Sequence, residues 1–129
     1  MARPLSLARR LGFPRAGAIV RLVPRDTDTF DIVRLRDVAT IGAIELEPLP
    51  GNVLFVRSLC IGEPYRSYGA GSEAARMLVE SAASAGFKAL RAWADPNLGL
   101  SVYFWIRMGL RPLHGPGPGG GIWFERRLL

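Results

Sequence analysis

The sequence predicts an α+β domain on one mostly antiparallel sheet, and three observations predict it. Strand-like runs fill the first half of the chain, a helical period begins only near residue 72, and then a strand, a second helix and a closing hairpin follow. At 129 residues the chain has the size of one domain, able to bury roughly 65–70% of its unfolded surface. With 49% of residues apolar, a packed core is expected rather than disorder.

Ala16–Val23 reads as a first strand, ended by Pro24 and the turn-forming Asp26-Thr27-Asp28. Phe30–Arg36 alternates apolar and polar residues as a second, and Thr40–Glu47 is a third that stops at Pro48-Leu49-Pro50-Gly51. Asn52–Ile61, nearly all apolar, reads as a fourth, central strand buried on both faces. Short turns between the second, third and fourth make an antiparallel meander. Ser72–Ala85 then sets Ala75, Leu78, Val79 and Ala82 at helical spacing, with Ser72 as N-cap and Gly86 as stop. Lys88–Ala94 is a strand, Asp95-Pro96-Asn97 a turn, and Leu100–Met108 a second helix closed by Gly109. Leu110–His114 and Ile122–Leu128 pair around the glycine-rich Gly115–Gly121. The result is a twisted sheet of six to seven strands with two packed helices, one domain over 16–129 preceded by a basic arm over 1–15.

The charge is unevenly placed. Residues 1–25 hold Arg3, Arg9, Arg10, Arg15, Arg21 and Arg25 and no acid, so they carry the whole net charge of +6. In a chain that uses arginine almost to the exclusion of lysine, a surface segment is the simplest reading, ahead of a contact for nucleic acid or anionic lipid and of a transit peptide. Leu5, Leu7, Leu11 and Phe13 offer anchors for the arm on its own domain or on a second subunit. The lone Cys60 cannot form an internal disulfide, which fits a reducing, cytoplasmic setting. Its apolar neighbours point to a packed thiol, since no adjacent charge activates it as a nucleophile. No apolar stretch approaches the roughly 20 residues that span a bilayer.

The informative segment is Ile61-Gly62-Glu63-Pro64-Tyr65-Arg66-Ser67-Tyr68-Gly69-Ala70-Gly71, between a buried strand and a helix. A helix start presents unpartnered N–H groups and partial positive charge, and suits an anion such as a pyrophosphate. Gly69 and Gly71 remove side chains that would block approach, and Arg66 adds a fixed charge. A Gly-x-Gly alone leaves phosphate binding and a plain tight turn both open.

The run Arg66-x-x-Gly69-x-Gly71 after an apolar strand resembles the acetyl-CoA signature of the GCN5-related N-acetyltransferase (GNAT) family. Ser101-Val102-Tyr103-Phe104-Trp105-Ile106-Arg107-Met108-Gly109-Leu110 resembles that family's second signature, Ala-x-x-Phe-Tyr-x-Lys-x-Gly-Phe. The resemblance covers about Phe30–Leu128. It implies splayed fourth and fifth strands with the pantetheine arm of acetyl-CoA between them, held by the backbone of Leu59, Cys60 and Ile61. It places the pyrophosphate on Arg66, Ser67, Tyr68, Gly69, Ala70, Gly71 and Ser72, with Asn97, Phe104 and Arg107 as further cofactor contacts. The reaction it implies is attack by an amine of a small molecule, peptide or protein on the acyl carbonyl, with no metal.

Several residues depart from the pattern. The family's thiolate-protonating tyrosine falls at Trp105, whose indole N–H is not an acid at neutral pH. Tyr103, the catalytic candidate left, lies about 200° around the helix from it. Tyr68 stands where a basic residue is common, and Asn97 is one residue out of step, so a turn role competes with cofactor contact there. The two helices that shape the acceptor pocket between the first two strands are missing. The acceptor site is then open, or completed by the arm of a second subunit in a homodimer. For the general base Glu63 ranks first, with Glu45 and Glu47 behind; His114 reads as a surface residue. A domain that binds acyl-CoA without catalysis is the alternative.

Overall fold

The computed structural model describes residues 6–66, 68–94, 99–116 and 121–128. In chain order come helix α1 (Leu7–Leu11), strands β1 (Arg15–Ala16), β2 (Val20–Pro24), β3 (Thr29–Arg34), β4 (Thr40–Leu49) and β5 (Val53–Ile61), and a 3-10 turn (Glu63–Tyr65). Helix α2 (Ala70–Ser84), strand β6 (Ala89–Ala94), helix α3 (Gly99–Arg107) and strands β7 (Arg111–Pro116) and β8 (Ile122–Arg127) complete it. The strands form one sheet in the order β1-β2-β3-β4-β5-β6-β8-β7. Every pair is antiparallel except β5 with β6, which are parallel. A parallel neighbour cannot be reached by a hairpin, and α2 is the crossover that reaches it.

The α+β sheet is as expected, with eight strands rather than six to seven. The extra one arises because the segment read as a single first strand folds back on itself. Gly17 N–H donates to the Val20 carbonyl at 2.8 Å, and Arg15 and Ala16 pair with Leu22 and Arg21. Between β2 and β3 only residues 25–28 intervene, closed by Arg25 and Asp26 N–H groups on the Thr29 carbonyl. No helix lies there, as the sequence implied.

The core lies where Phe30, Ile32, Ile44, Leu46, Leu54, Leu78, Leu90 and Phe124 are removed from solvent. The arm joins it. Ser6 caps α1 by accepting the Arg9 N–H, and Leu7, Leu11 and Phe13 are buried, with Phe13 edge-on to Phe30 at 5.3 Å. Arg10 lies 4.2 Å over the Phe87 ring, and Arg15 bonds the Met77 carbonyl, Ser81 and Glu80 on α2. Two of the arginines read as free surface charge are therefore spent on the protein's own helix and ring. Leu5 lies outside the described residues.

Two readings of β5 need correction. Leu54, Phe55 and Val56 are buried, but beyond them the strand is only partly covered and Cys60 is exposed. The cause is the sheet itself. Among the described residues β5 pairs with β6 only from Val53 to Val56, and no described strand is paired with its second half on that edge. Among the described residues no helix is long and apolar enough to cross a membrane.

Candidate functional site

Three features converge at one end of the sheet. The first is the split between β5 and β6. Among the described residues their pairing stops at Val56–Ala92, while β5 runs on to Ile61 paired with β4. Within that run Ser58 faces Glu45 and Val56 faces Leu46, so Arg57 is an extra residue that bulges the strand. Among the described residues no strand pairs with the other edge of β5 from Arg57 to Ile61.

The second feature is the start of α2. Ser72, expected to cap the helix, sits inside its first turn; the N-cap is Gly69, at φ 85° and with no side-chain cap. Only glycine takes that left-handed conformation without strain. The first intrahelical bond is Glu73 N–H to the Gly69 carbonyl at 3.0 Å, so the N–H groups of Ala70, Gly71 and Ser72 have no intrahelical acceptor. The third is α3, whose Phe104 leans on the same place. A Cβ on Gly71 would lie 3.4 Å from Ile61 Cγ1 and 3.9 Å from Phe104 Cε2. Ile61, Gly71 and Phe104 are thus brought together from a strand end, a helix start and a second helix. A slot edged by unpaired strand backbone and ending on free N–H groups fits an extended amide-bearing arm joined to a pyrophosphate.

The other predicted residues fall around it. Leu59 and Ile61 are half-buried and Arg66 is exposed, its Nε donating to the Ile61 carbonyl at 2.9 Å. That carbonyl is therefore already engaged. Tyr68 is 74% exposed. Glu63 is exposed in the 3-10 turn, and Glu45 and Glu47 are exposed on β4. Trp105, 6% exposed, packs edge-on against Phe104 at 4.9 Å, whereas Tyr103 is 60% exposed with Arg107 over its ring at 5.8 Å. Phe104 thus reaches the slot, and Tyr103 and Arg107 lie together on the outer side of α3. Ser67 and Asn97, and the side chain of His114, lie outside the described residues.

Glu73 was not among the expected residues. Only 7% exposed, its carboxylate accepts the N–H groups of Ala18, Ile19 and Val20, each at 2.7 Å. It ties the β1–β2 turn to the first turn of α2. An acid just after a glycine loop looks like any solvated first-turn glutamate, and its partners lie more than fifty residues away, so no local signal marks it. Beside this turn opens a groove of about 680 Å³, whose walls include Arg34, Arg36 and Tyr65. Arg34 bonds Asp37 at 2.9 and 2.6 Å, and that bond holds the Asp37 carboxyl down to about 2.

The model of the acetyltransferase (GNAT) family matches residues 8–109. Among solved structures, a GNAT-family acetyltransferase from Bacillus anthracis superposes with a TM-score of 0.71 at 15% identity, over 79% of this chain and 67% of that one. One from Staphylococcus aureus Mu50 gives 0.68 at 14%, over 78% and 68%. A Bacillus subtilis acetyltransferase in complex with CoA gives 0.68 at 11%, over 78% and 76%. No curated protein matches the chain in sequence.

Proposed function

The chain belongs to the GNAT acetyltransferase family, and from that premise we propose that it transfers an acetyl or other short acyl group from coenzyme A to the amine of a small molecule, peptide or protein. One observation carries the reading: the uncapped start of α2 opens onto the split between β5 and β6. The CoA-bound state of the Bacillus subtilis relative supports it. Bound acetyl-CoA supplies an activated acyl thioester. In this reading Ala70, Gly71 and Ser72 donate backbone N–H groups to the pyrophosphate, with Arg66, Ser67, Tyr68 and Gly69 around it. Backbone of Leu59, Cys60 and Ile61 lines the pantetheine arm, and Phe104 closes its far wall.

The protein's share of the chemistry is positioning and proton handling. In this reading a backbone N–H at the Arg57 bulge, where β5 leaves β6, polarises the acyl carbonyl. Glu63, exposed in the 3-10 turn after β5, takes the proton of the substrate ammonium so that the free amine attacks. Tyr103, the phenol expected for the leaving thiolate, lies on the outer side of α3. A reducing, cytoplasmic setting suits the exposed Cys60, and a homodimer is the assembly that would complete an acceptor site left open beside the short β2–β3 turn. Calorimetry with acetyl-CoA tests the reading: saturable binding is expected, and none at millimolar cofactor overturns it.

A second reading rests on α3. With Trp105 buried in the acid position and Tyr103 turned to solvent, the domain would bind acyl-CoA as a regulatory module without catalysis. Thiol release over a panel of amines, peptides and aminoglycosides separates the two, because sustained turnover excludes binding alone.

A further inference from the structure

The three helices pack on one face of the sheet. Leu11 of α1, Leu78 of α2 and Trp105 of α3 join one buried cluster with Leu46, Val56, Ala92 and Phe124. Those four strand residues are register partners across β4, β5, β6 and β8, so they mark the covered face. Side chains alternate along a strand. The next row, Glu47–Phe55–Arg91–Glu125–Arg111, crosses β4, β5, β6, β8 and β7 and therefore points the other way. Among the described residues no helix packs on that second face.

The row on this face is patterned. Phe55 lies against Trp123, ring centroids 4.9 Å apart, and Trp123 is the register partner of Trp93. Both tryptophans are half-buried. Arg91 and Glu125 bond each other at 3.2 Å and offset one another. That leaves exposed Glu47 at one end and exposed Arg111 at the other, neither in an ion pair among the described residues. Four strand spacings set them roughly 19 Å apart. Arg127, also exposed, adds to the basic end, since its partner Ala89 alternates with Arg91 on the same face.

An aromatic centre with opposite charges at its two ends is complementary to itself under a two-fold rotation. Turned over, the Glu47 end of one copy meets the Arg111 end of the next, and the aromatic centres stack between them. The basic arm, the other candidate cover for a second subunit, is spent on its own domain, where Leu7, Leu11 and Phe13 are buried. Trp93 lies one residue beyond the last β5–β6 pair, so this face also borders the split.

We propose that the helix-free face is the interface of a homodimer, with Phe55, Trp93 and Trp123 at its centre and Glu47 of each copy on Arg111 of the other. The proposal rests on the homodimer of the reading above and gives it a surface, one that sets each copy beside the split of the other.

Sedimentation velocity tests it. The unaltered protein should be a dimer at about 10 µM. Glu47→Arg places bases at both ends of the row and Arg111→Glu places acids at both, so each variant alone should dimerise at least tenfold more weakly. An equimolar mixture of the two should recover the dimer, because opposite ends meet again. Both positions are exposed, so circular dichroism should be unchanged in each variant. A monomeric unaltered protein overturns the proposal, as does a dimer that both reversals leave intact or that mixing fails to restore. Acetyl-CoA binding by a monomer leaves the coenzyme A reading standing without this interface. A charge-sensitive dimer that binds no acetyl-CoA keeps the interface and sinks that reading.

Discussion

The two sides of the α2 N-terminus handle the same chemical problem in opposite ways. On one side the N–H groups of Ala18, Ile19 and Val20 converge on the buried Glu73 carboxylate. On the other, those of Ala70, Gly71 and Ser72 meet no intrahelical acceptor and no side-chain cap. Clustered backbone donors need an anion or water. The fold supplies its own anion for the first cluster, and in the reading proposed above the second is met by the pyrophosphate. Under the coenzyme A reading, the difference separates a structural joint from a binding site built of the same groups.

The largest effect should come from filling the open side. Gly71→Glu sets a carboxylate into the slot at a position whose Cβ meets neighbours at ordinary contact distances of 3.4 and 3.9 Å. Acetyl-CoA affinity should fall at least a hundredfold by calorimetry, with an unchanged circular dichroism spectrum. Affinity within about threefold of the unaltered protein would contradict the loop assignment. Gly69→Glu is the poorer choice, because φ 85° at Gly69 strains any side chain there and confounds binding with loop distortion.

On the closed side, Glu73→Ala strands three buried or half-buried N–H groups at once. Leaving such donors unpaired costs about 1–3 kcal/mol each before relaxation, so a loss of about 3 kcal/mol is expected in urea unfolding. A loss below about 1 kcal/mol would mean that water replaces the carboxylate and the joint is weaker than its geometry. Gly17→Ala attacks the same joint from the other partner. A Cβ there would lie 2.8 Å from both Glu73 Cδ and Met77 Sδ, an overpacking that costs about 1–2 kcal/mol. In the Glu73→Ala background most of that cost should vanish, since the clashing carboxyl is gone. Full additivity in the double-mutant cycle would place the strain on Met77 instead.

This contrast also marks what the sequence made legible. The open side was readable because its determinants are contiguous: an apolar strand, two glycines and a helical period within about twenty residues. The splay was foreseen through the family resemblance, not from the residues of β5, whose apolar run misread Cys60 as packed. Apolarity reports what a strand can bury and not whether a neighbour is there to bury it. Gly17 and Glu73 were invisible because each looks ordinary in its own window, and only the fold brings them together. The same holds for the groove, whose walls come from the β1–β2 turn, the end of β3 and the loop before α2.

The smallest effect concerns a carboxylate that is the opposite of Glu73. Asp37 is 44% exposed, and its pKa falls from the ordinary 3.8 to about 2 chiefly because the Arg34 guanidinium hydrogen-bonds the charged form, with a lesser contribution from the Ala39 N–H. A depressed carboxyl contributes stability that is complete above pH 3.8 and is lost as the pH falls through about 2. Thermal melts of the unaltered protein and Asp37→Asn should therefore differ by a small, constant amount from neutrality to about pH 4, and converge by about pH 2. Because the pair is exposed, salt should shrink the gap throughout. A gap that persists at pH 2 would assign it to the turn's backbone geometry.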